Sequence, residues 1–289
     1  MKILVIGNGL IGKAIIETLE LEGHEILVFS RRLKEEIRVQ QLIGDIFDFE
    51  NFIGVLTWKP DVLIHTAWIT QHETYMEDLS NSKYADFTKD LGRFLVGTSV
   101  QQLIILGTCA EYGSQMQPSY AGVTALRPKN LYAREKVNSL ISVLDSTKDS
   151  SVRLSWVRIF HPYGPGQDNK RLIPSLSASV RNGLQIVLRD TTTLRDWITT
   201  RDIASAISWV IKNRTPDVID IGTGKGHSNL DLLRHIEMLT GVQARWSDNP
   251  DRPNKEIEMS VVDSQSPLLK SGWSPKDDLN SGLSWALNL

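Results

Sequence analysis

The segment KILVIGNGLIGKAIIETLEL (2–21) constrains the fold more than any other stretch of the chain. A short apolar run enters a turn carrying three glycines, and an amphipathic stretch leaves it. Glycine at positions 7, 9 and 12 meets three separate demands of a phosphate-binding turn. Gly7 permits the sharp reversal, Gly9 lets backbone approach a pyrophosphate, and Gly12 lets the following helix pack on the strand. Leu10 and Ile11 would open that helix, whose free N–H groups and positive dipole end face the anion. A plain tight turn is the competing reading, and the strand–turn–helix setting favours the dinucleotide.

The same unit recurs in kind along the chain. Apolar runs at 2–7, 25–30, 62–67, 103–108 and 154–159 read as strands buried on both faces. Helix-like segments at 11–22, 78–98 and 131–145 lie between them. This alternation predicts an α/β fold, a doubly wound parallel sheet with helices on both sides. Beyond about residue 160, Pro, Gly and Trp become more frequent and the elements shorter. There DVIDIG (217–222) reads as one more strand, and NLDLLRHIEMLTG (229–241) as a helix closed by Gly241. The expected organisation is a dinucleotide-binding domain over 1–160 plus about 217–222. A smaller C-terminal α/β substrate lobe would be built from 161–216 and 223–289.

Composition narrows the partners. A net charge of −2 gives no electrostatic reason to expect nucleic acid or an anionic membrane. No apolar run is long enough to span a bilayer. The single cysteine and the lack of a signal-peptide cleavage site point to a cytoplasmic protein. The triplet Asn213-Arg214-Thr215 then reads as a chance sequon. The histidines (24, 65, 72, 161, 227, 235) show no metal-ligand spacing, so no metal is expected. Ser/His/Asp hydrolysis is unsupported, because there is no G-x-S-x-G elbow.

The second strand ends Ser30-Arg31-Arg32, where the adenosine ribose of a dinucleotide falls. A carboxylate there would select NAD. A hydroxyl and two guanidinium groups suit a 2′-phosphate, so NADP is favoured and NAD is the alternative; two solvated arginines starting a loop are the bland reading. Asp45, with Ile46 beside it in GDIFD (44–48), would reach the adenine amine or simply cap a loop. Thr66 and Ala67, closing VLIHTA, complete the expected cofactor-binding set.

LYAREK (131–136) places Tyr132 and Lys136 four residues apart on one helix face. A neighbouring ammonium favours the phenolate and brings its pKa towards working pH. Tyrosine can then take a proton from an alcohol, or return one to a carbonyl, as hydride moves. Alone the pair is common. Its weight comes from the dinucleotide turn upstream and from GTCAEYG (107–113), whose Thr108 lies 24 positions before the tyrosine.

In order and approximate spacing, GNGLIG, GDIFD, DVLIHTA, GTCAEYG, LYAREK, RIFHPYGPG, LRDWITTRDIA and DIGTG resemble the extended short-chain dehydrogenase/reductases. The similarity is to their nucleotide-sugar-modifying epimerase/dehydratase branch, and it spans nearly the whole chain. It implies a Rossmann sheet and a nucleotide-sugar substrate. It also implies a homodimer formed through helices 78–98 and 131–145. It makes Thr108, five places before the glycine of the Tyr-Gly pair, the group that polarises the reacting oxygen. Lys136 would also hold the nicotinamide ribose, and Arg195 would clamp the diphosphate, with an ion pair to Asp196 as its bland alternative. Asp202 would be structural. His161 stands where relatives usually carry Asn, near the substrate phosphates, and the glycine turn is one residue shorter than usual.

The resemblance also discriminates among reactions. Dehydratases of this branch place Asp and Glu directly after the catalytic Thr, whereas this chain has Cys109 and Ala110, with Glu111 one place late. Epimerase-reductases like GDP-fucose synthase use a Cys, which aligns with Ala110, and a His that is missing after YGPG (163–166). Two activities remain. Reduction of an NDP-4-keto-6-deoxyhexose is preferred, on the NADP-leaning Ser-Arg-Arg and on KEIEMSVVDSQSPLLKSGWSP (255–275). Epimerisation at C4 is the alternative, and a non-catalytic dinucleotide sensor is the reading of another class. Tyr112 and Trp68 would touch sugar or pack, His65 would pack under the cofactor, and Trp156, Trp209, Trp246, Trp273 and Trp285 would be core or lobe packing rather than sugar platforms.

Overall fold

The computed structural model describes residues 1–213, 217–248 and 258–289. Two of the chosen stretches run beyond these: Arg214 and Thr215 of the sequon, and 255–257 of the C-terminal motif. The apolar runs become strands because both of their faces are covered. The first part of the chain runs β1 (Lys2–Ile6), α1 (Leu10–Leu21), β2 (Glu25–Ser30), β3 (Gln40–Ile43), α2 (Phe49–Leu56), β4 (Val62–His65), α3 (Ser80–Phe94), β5 (Gln102–Thr108), α4 (Leu131–Thr147) and β6 (Arg153–Ile159). The second part runs β7 (His161–Tyr163), α5 (Leu172–Arg181), β8 (Gln185–Leu188), β9 (Leu194–Arg195), β10 (Trp197–Thr199), α6 (Thr200–Lys212), β11 (Asp217–Ile221), α7 (Asn229–Thr240), β12 (Arg245–Asp248), β13 (Met259–Ser260), α8 (Pro267–Lys270) and α9 (Leu279–Leu287).

Seven strands form one parallel sheet in the order β11-β6-β5-β4-β1-β2-β3. Ile15, Ile16 and Leu19 of α1 and Ile203, Ile207 and Val210 of α6 cover one face. Phe52 of α2, Phe87 and Leu91 of α3, and Leu140 and Val143 of α4 cover the other. The doubly wound sheet is therefore as expected. β3 is the strand that the apolar runs miss: QQLI lies on the sheet edge with Leu42 and Ile43 exposed. The strand order reverses between β1 and β4, so their carboxyl ends frame the crevice where such sheets bind ligands.

Apart from α8, whose Leu268 joins the core under α1 and α6, the remaining elements form a lobe with its own core, in which Tyr163, Ile173, Leu176, Leu232, Leu233, Ile236 and Leu283 pack together. Its strands pair two by two, β7 with β10, β8 with β12 and β9 with β13. Two buried aspartates tie these short pieces down. Asp196 accepts from the backbone N–H of Thr223 (2.7 Å), Gly224 (2.8 Å) and Val262 (3.2 Å). Asp202 accepts from the N–H of Lys276 and Asp277, a structural use like the one expected of it. Trp246 departs from expectation, since it is exposed on β12 rather than in a core.

Candidate active site

The turn after β1 is shaped by what its glycines leave out. A Cβ on Gly7 would stand 2.8 Å from Thr66 Oγ1 and 2.9 Å from Ala67 N, and Gly7 has φ +98°. A Cβ on Gly12 would stand 2.5 Å from Gly7 O. A Cβ on Gly9, by contrast, would meet nothing within 4 Å, so that position faces open space. Gly9 also caps α1 without a side-chain hydrogen bond, and no acidic residue occupies the first turn. The N-terminal N–H groups at Leu10 and Ile11 are thus free for an anion. These features fit the pyrophosphate of a dinucleotide.

Thr66 and Ala67 lie directly against this turn, and Thr66 Oγ1 donates to Ile6 O (2.9 Å) and Gly7 O (3.1 Å). At the end of β2, Ser30 Oγ donates to Arg32 O (2.9 Å) and accepts from Asn8 Nδ2 (3.0 Å), which also reaches Arg32 O (2.8 Å). Asn8, the middle residue of the shortened turn, therefore sets the position where an adenosine ribose would rest. Sequence reasoning passed over it. Arg31 and Arg32 are exposed there. Asp45 caps its own loop through the N–H of Phe47 (3.1 Å), while Ile46 is buried among core residues.

At the carboxyl end of β5 the chain turns into a short 3-10 helix, Cys109–Tyr112, with Thr108 as its N-cap. Asn130 caps α4 through the N–H of Ala133 (2.9 Å), so the helix starts at Leu131 and Tyr132 lies in its first turn. The Tyr132 hydroxyl is hydrogen-bonded to Thr108. Burial pushes the phenol up and that hydrogen bond offsets only part of the rise, so the net shift is upward, opposite to the lowering expected from Lys136. One helical turn on, Lys136 is buried and donates from Nζ to Leu106 O (2.7 Å). Its ammonium lies 3.6 Å above the indole of Trp68. Burial pushes Lys136 down to about 7, while the carboxylate of Glu111 favours its charged form. The structure brings Thr108, Tyr132 and Lys136 together beside the glycine turn.

Trp68 is held by Asn81, whose Oδ1 accepts from Nε1 (2.7 Å), and it abuts Tyr132 edge-on at 6.2 Å. His65 is buried, hydrogen-bonded to Thr88 (3.0 Å) and pushed by burial down to about 3, so it packs rather than titrates. Tyr112 is buried too, donating to Asp220 at 2.9 Å, so it does not face the cleft.

His161 and Arg195 come from the lobe. Arg195 pairs with Asp190 (2.8 Å), not with Asp196 as its bland alternative had it, and Nη1 reaches Asn229 Oδ1 (3.3 Å). The Asp196 carboxylate is taken up by the three backbone N–H groups noted above, which leaves Arg195 to Asp190. His161 Nε2 lies 4.0 Å from Cys109 Sγ, and its ring packs 5.3 Å from that of Trp197. Cys109 does not continue the strand alternation, because the strand ends at Thr108 and the turn redirects the sulfur towards His161. Burial pushes the thiol up to about 11, and burial with the nearby Arg195 pushes His161 down to about 3.

The sequence model of the NAD dependent epimerase/dehydratase family matches residues 3–222. The chain belongs to this family. A UDP-glucose 4-epimerase from Lactobacillus helveticus is 25% identical, over 96% of this chain and 93% of that one. Among solved structures, a UDP-glucose 4-epimerase from Thermotoga maritima, in complex with UDP-glucose, superposes with a TM-score of 0.85 at 20% identity. It covers 100% of this chain and 98% of its own. One from Thermus thermophilus, in complex with NAD, gives 0.82 at 24% identity, again over 100% and 98%. At such identities the structures speak for the fold. Membership in the family makes this epimerase/dehydratase-family chain an NAD-dependent enzyme of nucleotide sugars. Among the described residues no helix is long and apolar enough to cross a membrane.

Proposed function

We propose that this protein is a nucleotide-sugar 4-epimerase. The observation that carries the reading is the state of the nearest carboxylate. Glu111 stands within four residues of Thr108, but it is fully buried and paired with Arg158 at 2.6 Å. It is not free to remove a proton from sugar carbon, which argues against dehydration. What remains is acid–base chemistry at one oxygen, by Thr108, Tyr132 and Lys136. The preference for reduction stated from the sequence gives way here, because several relatives are named for 4-epimerisation, others for 4,6-dehydration and none of these for reduction, and 4-epimerisation needs no further acid or base.

The bound dinucleotide would supply a hydride acceptor that also returns the hydride. The Tyr132 oxygen would take the proton of the sugar hydroxyl and later give it back. The Thr108 hydroxyl would hold that oxygen in line, and Lys136 would leave Leu106 O to hold the nicotinamide ribose and favour the phenolate. Arg195 would exchange Asp190 for the diphosphate, which a forked guanidinium binds well. His161 would lie at the sugar or phosphate end of the same cleft. Gly7, Gly9, Leu10, Ile11 and Gly12 would seat the pyrophosphate.

Reduction of an NDP-4-keto-6-deoxyhexose is the second reading, favoured by Ser30, Arg31 and Arg32. The end of β2 has no carboxylate for a ribose 2′-hydroxyl and two exposed arginines for a 2′-phosphate. One panel separates the readings: purified protein with UDP- and dTDP-hexoses or their 4-keto-6-deoxy derivatives, and NAD(H) or NADP(H). Interconversion of C4 epimers without net change in cofactor absorbance supports the proposal. Stoichiometric NADPH oxidation with a 4-keto sugar would replace it with the reductase. No turnover anywhere would leave a dinucleotide-binding protein of another kind.

A further inference from the structure

Behind Thr108 lies a charge cluster that the proposed chemistry does not touch. The buried Glu111 carboxylate accepts from the Thr108 N–H (2.9 Å), Trp156 Nε1 (3.1 Å) and Arg158 Nε (2.6 Å). An ionised carboxyl survives inside a protein only when paired and hydrogen-bonded in this way. The chain gives up a side chain to admit it: a Cβ on Gly107 would stand 2.6 Å from Glu111 Oε1 and collide with Trp156 Nε1. Arg158 Nη1 donates onward to the Tyr112 hydroxyl (3.1 Å), which donates to Asp220 (2.9 Å). Groups from β5, its turn, β6 and β11 thus converge directly behind the hydroxyl that meets Tyr132.

Two links run from this cluster to the reacting groups. One is mechanical, because Glu111 Oε1 holds the first N–H of the turn whose cap is Thr108. The other is electrostatic. Lys136 faces Trp68 after β4, the neutral His65 on β4 and Trp156 on β6, and Tyr132, one turn before it on α4, faces the phenol of Tyr75 edge-on at 5.2 Å. Glu111 is the group whose charge favours its ammonium. Glu111 itself faces Arg158 and, through it, Tyr112 and Asp220; its field also reaches Tyr132 and Cys109.

We propose that Glu111 is a positioning residue of this site, aiming the Thr108 hydroxyl at Tyr132 and serving as counter-charge to Lys136. The proposal rests on the reading of Thr108, Tyr132 and Lys136 as the reacting set. An ion pair that only held the fold together would leave the pH dependence of turnover untouched. A positioning carboxylate would not. Nearby negative charge favours the bound proton on lysine and tyrosine alike, so its removal makes both deprotonate at lower pH.

Glu111→Gln alone strands a buried Arg158 and endangers folding. The informative variant is double, Glu111→Leu with Arg158→Met, which replaces the pair by apolar groups of similar size. It should fold and bind cofactor. Its kcat should fall roughly tenfold to a hundredfold with little change in KM, the mark of a misplaced reacting group. Its kcat–pH profile should move acidward by up to about one unit, since Glu111 bears on Lys136 and Tyr132 and the loss of Arg158 behind it offsets only part of that charge. A folded double variant with wild-type kcat and profile overturns the proposal. Glu111→Asp, which keeps the charge on a shorter stem, should lower kcat with the profile in place; a profile moved as far as in the double variant also overturns it. A readout free of substrate is the ultraviolet titration of the Tyr132 phenol in the NAD complex, taken against matched Tyr132→Phe proteins. A lower midpoint without Glu111 supports the proposal, and an unmoved one overturns it. Were no nucleotide sugar turned over, the epimerase reading would fail while this titration still decided the role of Glu111.

Discussion

Two turns at the carboxyl end of the same sheet are built in opposite ways. The turn after β1 is open: Gly9 faces empty space, and the helix behind it starts with no side-chain cap. The turn after β5 is closed: Thr108 caps it, Glu111 caps it in return, and both sit on a buried ion pair. The first leaves its N–H groups unanswered and so suits an anion that arrives from outside. The second answers its N–H groups with the protein's own carboxylate and so fixes one hydroxyl in space. A cofactor site needs vacancy and a reacting site needs rigidity, and the two turns divide those tasks.

The largest expected effect lies at the closed turn. Tyr132→Phe removes the hydroxyl that Thr108 is aimed at, and it should lower kcat by about 10²–10⁴-fold, the usual weight of a general acid–base. Cofactor affinity, set at the open turn, should stay near wild type when followed by tryptophan fluorescence. Surviving turnover would show that the closed turn aims at nothing.

Next come two glycines of the open turn, which should respond differently to the same methyl group. Gly12→Ala puts a Cβ 2.5 Å from Gly7 O, where backbone must shift. It should cost about 1–3 kcal/mol of stability, as overpacking does, and weaken NAD binding with it. Gly9→Ala meets nothing, so stability should fall by no more than about 1 kcal/mol, the preference of an N-cap for Gly over Ala. Its methyl would still occupy the approach of a pyrophosphate, and affinity should fall. Unfolding curves and NAD titrations on both variants make the check, and undiminished affinity in Gly9→Ala would remove the pyrophosphate from that spot.

The open turn was legible in the sequence because its signal is local: three glycines at fixed spacing after an apolar run. The buried strands were legible for the same reason, and β3 was not, since an edge strand with exposed Leu42 and Ile43 needs no continuous apolar run. The closed turn was half legible. Thr108 could be placed by resemblance, but Glu111 read only as an acid one position late. The spacing Thr108-Cys-Ala-Glu111 is a capping-box pattern and would have flagged the turn. Nothing local would have shown that its carboxylate meets Arg158, 47 positions away. The lobe was least legible, because strands such as Leu194–Arg195 and Met259–Ser260 are two residues long and owe their pairing to packing. For the same reason the bland alternative for Arg195, beside its reading as a diphosphate clamp, paired it with its neighbour Asp196 rather than with Asp190.

A third test asks how far the charge of the closed turn extends. Arg158 lies between Glu111 and the Tyr112–Asp220 pair, and burial pushes the Asp220 carboxyl up to about 7 from 3.8. Below the lower value both the folded and the unfolded chain hold that proton, and its contribution to stability is whole. As pH rises towards the higher value the unfolded chain releases it first, so the contribution declines by at most about 1.4 kcal/mol per pH unit. Asp220→Asn cannot titrate, so the difference between wild type and variant should shrink across that window in denaturant unfolding. Parallel curves would mean that Asp220 is ionised throughout.

The smallest effect is expected at Cys109, although its sulfur lies nearer the cleft than Asp220 does. A thiol and an imidazole 4.0 Å apart invite comparison with the activated pairs of cysteine enzymes. Such a pair works as thiolate and imidazolium, which requires a lowered thiol and a raised imidazole. Here both move the other way, the thiol up to about 11 and the imidazole down to about 3. The reason is burial, reinforced at His161 by the positive charge of Arg195, so both groups stay neutral at working pH. Cys109→Ser should therefore change kcat by less than about threefold, under ~1 kcal/mol of barrier. The wild type should also react only slowly with thiol reagents, since its half-buried thiol stays neutral at working pH. A large loss of turnover in Cys109→Ser would mean that substrate reverses both shifts, and the closed turn would then carry a second acid–base pair beside Tyr132.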